Sequence, residues 1–217
     1  MNPIHTTSRR RALAALLALG SLGACDELRR PVTARPAPPG LLPPDQEAGR
    51  AAIAALARDM QGANVGLRDQ PVRVARAAAL LEWLAVDLAN NPRWAPVPAN
   101  ARAGIGQARD EMRGALGADP LGDSPRLAAA LATAARALAA GNRGAAVAAL
   151  PTALFPRGGE AALARLSDPG PLPQGEIAAA ALAEAVRSLD ETSGWSSDFD
   201  TPVPPDRGGL GPIPFGI

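Results

Sequence analysis

Apolar residues recur every three or four positions over most of this chain, and stretches rich in proline or glycine separate the periodic segments. This spacing places the apolar side chains on one face of an α-helix. A β-strand would instead alternate apolar and polar residues and favour β-branched or aromatic ones, and no convincing run of that kind occurs. The sequence therefore predicts an all-α fold, an irregular bundle of about five to six short helices.

The predicted helices differ in how much of their surface is apolar. Residues 70–90 are apolar around most of the helix circumference, which predicts a central position in the core. The clearest helix begins at Ser124, interpreted as an N-cap before Pro125, and ends at Gly141-Asn142, in a stretch typical of a helical hairpin turn. The other predicted helices cover residues 45–62, with Asp45 as the N-cap, 99–116, 159–166 and 176–190.

A proline-rich stretch precedes the first predicted helix. Residues 26–44 contain six prolines, which fix φ and remove backbone donors, so an extended tether is expected over residues 25–44. The alternative is a segment that lies over the surface of the domain through Leu41 and Leu42. The helical domain itself is predicted over residues 45–191.

The C-terminal stretch, residues 192–217, is rich in Gly, Pro, Ser and Asp and predicts an irregular tail. It nevertheless contains Trp195, Phe199 and Phe215. We expect these aromatic side chains either to pack back on the bundle or to form a peptide that a partner recognises.

The first 24 residues have the order of a secretory signal peptide. A basic region, residues 1–11, precedes an apolar run that ends in small residues at Gly23 and Ala24. The run is too short to cross a membrane, which takes about 20 apolar residues. The alternative is an ordinary N-terminal helix.

The end of this segment, Leu22-Gly23-Ala24-Cys25, resembles the lipobox of bacterial lipoproteins: a leucine and two small residues before a cysteine. The resemblance implies that the Cys25 thiol receives a diacylglyceryl group and that signal peptidase II cuts between Ala24 and Cys25. Two or more acyl chains anchor a protein stably. The expected partner is therefore a membrane, bound through acyl chains on Cys25, with the domain facing the periplasm. An unmodified, buried cysteine is the alternative.

Two further features concern export and sorting. Ser8-Arg9-Arg10-Arg11-Ala12-Leu13 resembles a twin-arginine export signal through Arg9 and Arg10, although Ala12 stands where that signal prefers phenylalanine. The general secretory route fits the three arginines equally well. Asp26 resembles the signal that retains lipoproteins on the inner membrane of enteric bacteria, so the inner membrane is favoured over the outer.

Composition limits the chemistry that remains after removal of the signal. The chain has no lysine or tyrosine, and its only histidine is His5. The remaining 19 arginines and 21 acidic residues give a net charge of −2 without a usual proton shuttle, a Schiff-base amine or the commonest zinc ligands. Scattered arginines give no footprint for nucleic acid. We therefore expect no catalytic residue, no metal site, no cofactor and no nucleic-acid partner.

Glu82 is the sharpest single candidate for chemistry, because it is an acid within "AALLEWLAV". Burial beside Trp83 would raise its pKa and make it a proton donor. The alternatives are an interhelical ion pair with an arginine or simple exposure at the edge of the helix face.

Three functional hypotheses follow. The leading one is a non-enzymatic, lipid-anchored adaptor or accessory protein that binds an unidentified envelope protein. The second is a carrier with an apolar groove between helices for a small ligand. The third is an enzyme that uses Glu82 or Glu184 together with a second carboxylate.

Overall fold

The computed structural model describes residues 35–62 and 65–195. Over these residues the chain forms seven α-helices, two 3₁₀ turns and no β-strand, which confirms the predicted all-α fold. The α-helices are α1 (Ala48–Asp59), α2 (Pro71–Asn90), α3 (Ala99–Leu116), α4 (Ser124–Ala139), α5 (Arg143–Ala148), α6 (Gly159–Ser167) and α7 (Pro173–Thr192). The 3₁₀ turns are Val65–Leu67 and Pro92–Trp94. The helix beyond the expected number is the short α5, at the predicted hairpin.

Helix α2 is the centre of the fold, as its apolar circumference predicts. It contacts α1, α3, α4 and α6, with the most extensive packing against α4. Its buried residues include three consecutive alanines, Ala77–Ala79, and Leu80, Leu81 and Leu84. Small side chains let neighbouring helix backbones approach closely, and the leucines fill the space between them.

The remaining helices pack around this centre in two groups. Helix α7 packs on α3 and α1, while α5 packs on α4 and α6. At the contact between α3 and α7, an added Cβ at Gly104 would lie 3.4 Å from the Ala178 Cβ. This glycine, unfavourable within an isolated helix, thus allows two helices to approach closely.

The structure corrects two predicted helix starts. Helix α1 is capped by Glu47 rather than Asp45, because the longer Glu47 side chain turns back to accept hydrogen bonds from the backbone N–H groups of Gly49 and Arg50, at 2.8 and 2.9 Å. Helix α4 is capped by Asp123, which accepts from the Arg126 N–H at 3.0 Å. Ser124 is the first helical residue and uses its hydroxyl elsewhere.

The last part of the predicted tether, residues 35–44, lies on the helices, as the alternative interpretation of this stretch predicts. Leu41 is only 1% exposed and belongs to the core, and Leu42 is half-buried against it. Tertiary structure therefore extends N-terminal to residue 45. The expected signal and lipidation residues, Arg9, Arg10, Ala24 and Cys25, lie outside the described residues.

No helix in the described part of the chain is both long and apolar enough to span a membrane.

Two helical glycines provide a matched test of the packing. A Cβ at Gly49, in the first turn of α1, would overlap the guanidinium of Arg93 and the buried ring of Trp94, whereas a Cβ at Gly106 meets nothing within 4 Å. We expect Gly49→Ala to lower the free energy of unfolding by about 1–3 kcal/mol through overpacking. Gly106→Ala should raise it by up to about 1 kcal/mol through helix propensity.

Urea unfolding followed by circular dichroism measures both values. Equal effects of the two substitutions would contradict the close packing of α1 on Trp94.

Candidate functional site

A buried ion pair joins three helices, α2, α3 and α4. Glu82 of α2 and Arg113 of α3 are 2% and 5% exposed. The Arg113 Nε and Nη2 atoms donate to the two Glu82 carboxylate oxygens, each at 2.6 Å. Nη2 also donates to the Ser124 hydroxyl at the start of α4, and Nη1 donates to the Pro120 carbonyl, both at 2.8 Å. All three nitrogen atoms of the Arg113 guanidinium thus donate hydrogen bonds.

This geometry agrees with the ion-pair interpretation of Glu82. A bidentate contact of this kind is the strongest hydrogen-bonded arrangement of arginine and carboxylate. The hydrogen bonds that Arg113 donates to the Glu82 carboxylate raise the pKa of the Arg113 guanidinium above its ordinary value. Because both Glu82 oxygens accept from Arg113, the carboxylate fixes the positions of helices.

The other acid named as a candidate also forms an ion pair. Glu184 pairs with Arg187 on an exposed face of α7. The described residues contain no group of three or more His, Cys, Asp or Glu side chains placed to hold a metal ion.

An apolar groove lies between α2, α4 and the segment of residues 35–41, which we call the strap. The groove encloses about 370 Å³. Trp83 and Val86 of α2 form one wall, and small residues of α4 form the other. These small residues are Ala128, Ala129 and Ala132. The space is therefore mainly hydrocarbon-lined, which is typical of sites for apolar ligands or apolar peptide side chains.

Three side chains hold the strap by its backbone carbonyl groups. Trp83 Nε1 donates to the Arg35 carbonyl at 2.9 Å, and Arg136 Nη1 donates to the Pro39 carbonyl at 2.9 Å. Arg76 Nη2 donates to the Leu41 carbonyl at 2.8 Å. The strap contributes Pro36, Ala37 and Pro38 to the groove. Helices α2 and α4 thus supply the donors, and a proline-rich segment supplies the acceptors.

Sequence reasoning did not identify Arg76, Trp83 and Arg136 as the donors that hold the strap. The available signal was "RPAPPGLL", in which two adjacent leucines end a proline-rich run. Leu41 is the residue that the core buries. The donors could not be assigned from the sequence because they lie 35, 48 and 97 residues from the carbonyls that they bind.

A second, polar cavity of about 280 Å³ lies between α1 and α2. It is lined by Arg58, Arg73, Arg76 and Asp59. Arg73 already binds the Asp59 carboxylate at 2.7 Å and the Gly66 carbonyl at 2.9 Å. Because Arg73 and Asp59 already bind each other and Arg76 binds the Leu41 carbonyl, the apolar groove is the stronger candidate site.

A cluster of aromatic and charged side chains joins the start of α1 to the end of α7. The rings of Trp94 and Trp195 meet edge to face with centroids 5.9 Å apart, and the Arg50 guanidinium lies 4.9 Å from the centre of the Trp195 ring. Asp190 accepts from Arg50 at 2.6 and 2.7 Å and from the Trp195 indole at 2.7 Å. Trp195 therefore packs back on the bundle, while Phe199 and Phe215 lie outside the described residues.

Two acids of this region are held ionised. Hydrogen bonds from Arg50 and Trp195 lower the pKa of the Asp190 carboxyl. At Glu47, partial burial disfavours the charge, but hydrogen bonds from Arg50, Gly49 and Arg93 outweigh it and lower the pKa. The Arg93 Nη1 to Glu47 Oε1 distance is 2.5 Å.

Removal of the Glu82 charge should destabilise the fold strongly. In Glu82→Gln the buried Arg113 guanidinium loses its counter-charge, and loss of one partner from such a pair costs about 3–5 kcal/mol. The exposed pair of Arg143 and Glu160 gives a matched control, because Glu160→Gln should cost less than about 1 kcal/mol.

Chemical denaturation measures both costs, and the double variant Glu82→Leu with Arg113→Met should recover most of the lost stability. A cost for Glu82→Gln no larger than that for Glu160→Gln would refute the anchoring role of the pair.

Stability should fall in acid partly because of Glu47. Since its pKa is lower in the folded chain than the ordinary value of 4.5, the unfolded chain takes up a proton first as the pH falls. The resulting stability is complete well above pH 4.5 and is lost as the pH falls through the folded-state pKa. Thermal melting between pH 7 and pH 3, at roughly constant ionic strength, should show a smaller decline in Tm for Glu47→Gln than for the parent protein.

Parallel decline of the two Tm curves would show that Glu47 does not contribute to the acid sensitivity.

Comparisons of the chain with models of known protein families, with characterised proteins and with solved structures found no match.

Proposed function

We propose that this chain is a lipid-anchored accessory protein of the bacterial cell envelope, whose helical domain is a non-enzymatic adaptor for an envelope protein. The sequence Leu22-Gly23-Ala24-Cys25 supports the lipid anchor. Asp26 supports placement on the inner membrane, with the domain facing the periplasm. The anchor keeps the domain close to other envelope proteins, which raises the effective concentration for binding them.

The apolar groove is the observation that carries the adaptor function. Its walls belong to the two most extensively packed helices, α2 and α4, so they are preformed for binding. The Glu82–Arg113 pair, of which Glu82 is also a lining residue of the groove, fixes the start of α4 relative to α2. A rigid apolar surface costs little ordering entropy on binding, which favours a partner that supplies apolar side chains.

The groove also supports a second candidate function, a carrier for a small apolar ligand. Its volume of about 370 Å³ lies within the usual range for small-molecule sites, roughly 300–1,000 Å³. The carboxylate-based enzyme receives less support, because both Glu82 oxygens are bound to Arg113 and Glu184 lies on an exposed face with Arg187.

A pair of photo-crosslinking variants tests the adaptor directly. A photoreactive residue at Ala129, exposed at the groove, should capture one reproducible envelope protein in intact membranes. The same residue at Ala54, exposed on α1 outside the groove, is the matched control and should not capture that protein. Recovery of small lipids alone at position 129 would refute the adaptor and support the carrier.

The anchor is tested separately with Cys25→Ala. This variant should lose metabolic palmitate labelling and leave the membrane fraction, because the predicted acyl chains have no other attachment point. Unchanged membrane association, with no palmitate label on the parent protein, would remove the anchor from the proposal.

A further inference from the structure

The groove already displays the chemistry of one kind of occupant, the strap. Pro36, Pro38 and Pro39 have no N–H group, so at these positions the backbone can only accept hydrogen bonds. Prolines also hold φ near −65° and bias the residues before them toward extended conformations. The segment from Arg35 to Pro39 has neither helical nor strand hydrogen bonding. It therefore presents carbonyl groups and apolar pyrrolidine rings.

The opposing helices complement each of these features. Trp83 and Arg136 donate to the Arg35 and Pro39 carbonyls, at 2.9 Å each. The same Trp83 side chain and the alanines of α4 provide apolar surface beside the prolines. An aromatic surface with side-chain donors aimed at carbonyls is the recurring way in which proteins bind proline-rich extended segments.

The strap fills this surface incompletely. About 370 Å³ remains between the strap and the helices, and Ala37 and the neighbouring prolines are the apolar residues that the strap contributes to its lining. The apolar atoms that line this open space face water, and covering them with another apolar side chain is favourable in proportion to the apolar surface removed from water. A segment with a larger apolar side chain in the place of Ala37 would therefore make more contacts with α2 and α4 than the strap makes.

The strap is buried at one end only. Leu41 is buried in the core, whereas Arg35, Pro36 and Pro39 are exposed and Ala37 and Pro38 are half-buried. Gly40, with φ at +80°, places a turn between the buried and the exposed part. Residues 35–39 could thus leave the groove while Leu41 keeps its place, and segments with few buried contacts open at low free-energy cost.

From these observations we infer that the groove is a receptor for an extended, proline-rich segment of an envelope protein, and that residues 35–39 are its intramolecular competitor. This inference rests on the proposed adaptor function and names the chemistry of the partner. The apparent affinity of the groove for a partner segment equals its intrinsic affinity multiplied by the fraction of molecules in which residues 35–39 have left the groove. A partner segment binds when it offers carbonyls in an extended backbone and a larger apolar side chain than Ala37.

The binding test uses the mature chain with Cys25→Ala, so that the full protein stays in solution, and two synthetic peptides. The first is the sequence of residues 33–44 with leucine at the position of Ala37. The second has alanines in place of Pro36, Pro38 and Pro39 as well. We expect calorimetry to give the first peptide at least a tenfold lower Kd than the second.

Three protein variants connect that affinity to the groove. Ala37→Leu should fill the groove from the strap, raise the Tm and weaken peptide binding at least tenfold. Trp83→Phe keeps an aromatic ring but removes the indole donor, and should weaken binding at least threefold. Ala54→Leu, an exposed alanine of α1 outside the groove, is the matched control and should change neither affinity nor Tm appreciably.

A variant with Pro36→Gly and Pro38→Gly tests for binding in case the strap of the parent protein is too stable for a peptide to displace. These substitutions raise the entropy of the released strap and should increase peptide affinity. Absence of binding to both this variant and the parent protein at roughly 1 mM peptide overturns the inference. Binding that Ala37→Leu and Trp83→Phe leave unchanged also overturns it, because the peptide then binds elsewhere.

The two proposals fail in distinguishable ways. If crosslinking from position 129 captures an envelope protein but the peptides do not bind or compete, the adaptor stands and the proline-rich partner is wrong. If no protein is captured and palmitate binds in place of the peptides, the carrier replaces both proposals.

Discussion

The buried contact between Glu82 and Arg113 is the constraint on which the arrangement of helices depends. A guanidinium that is 5% exposed needs an acceptor for every donor it turns inward. Glu82 of α2 supplies two oxygens, and the Pro120 turn and the start of α4 supply one each. Apolar packing alone leaves alanine-rich helices free to slide, because small, similar side chains fit one another in several registers. The charged contact specifies one register. We infer that it selects the position of α4 against α2, and hence the width of the groove.

Alanine has two roles around this contact. On α2, alanines let four neighbouring helices approach one central helix. On α4, the same residue type leaves space, because Ala128, Ala129 and Ala132 are too short to reach the strap. The groove is therefore the place where close packing ends. Its apolar surface is a direct extension of the core rather than a separate structure.

The helices could be predicted because their signals are local. Residues 70–90 and 99–116 carry the apolar period from end to end, and the structure has helices at Pro71–Asn90 and Ala99–Leu116. The start of α1 was predicted at the wrong residue, because Asp45 belongs to the favoured N-cap types while the side-chain geometry that makes Glu47 the cap is not visible in the sequence. The partner of Glu82 is 31 residues away, among many arginines, so the sequence could suggest the pair but not name Arg113. The groove depends on three distant segments, and no local pattern encodes its volume.

The strap has a mechanical consequence. Its three carbonyl contacts lie one after another along the chain, at Arg35, Pro39 and Leu41. A pull on the backbone N-terminal to residue 35 therefore reaches the Trp83 contact first and the Arg136 contact next, while the buried Leu41 side chain resists last. Bonds stretched in sequence break at a lower force than bonds stretched together. Tension along the chain would detach the strap from the groove without unfolding the helices. The exposure of Trp83 would then rise with the tension.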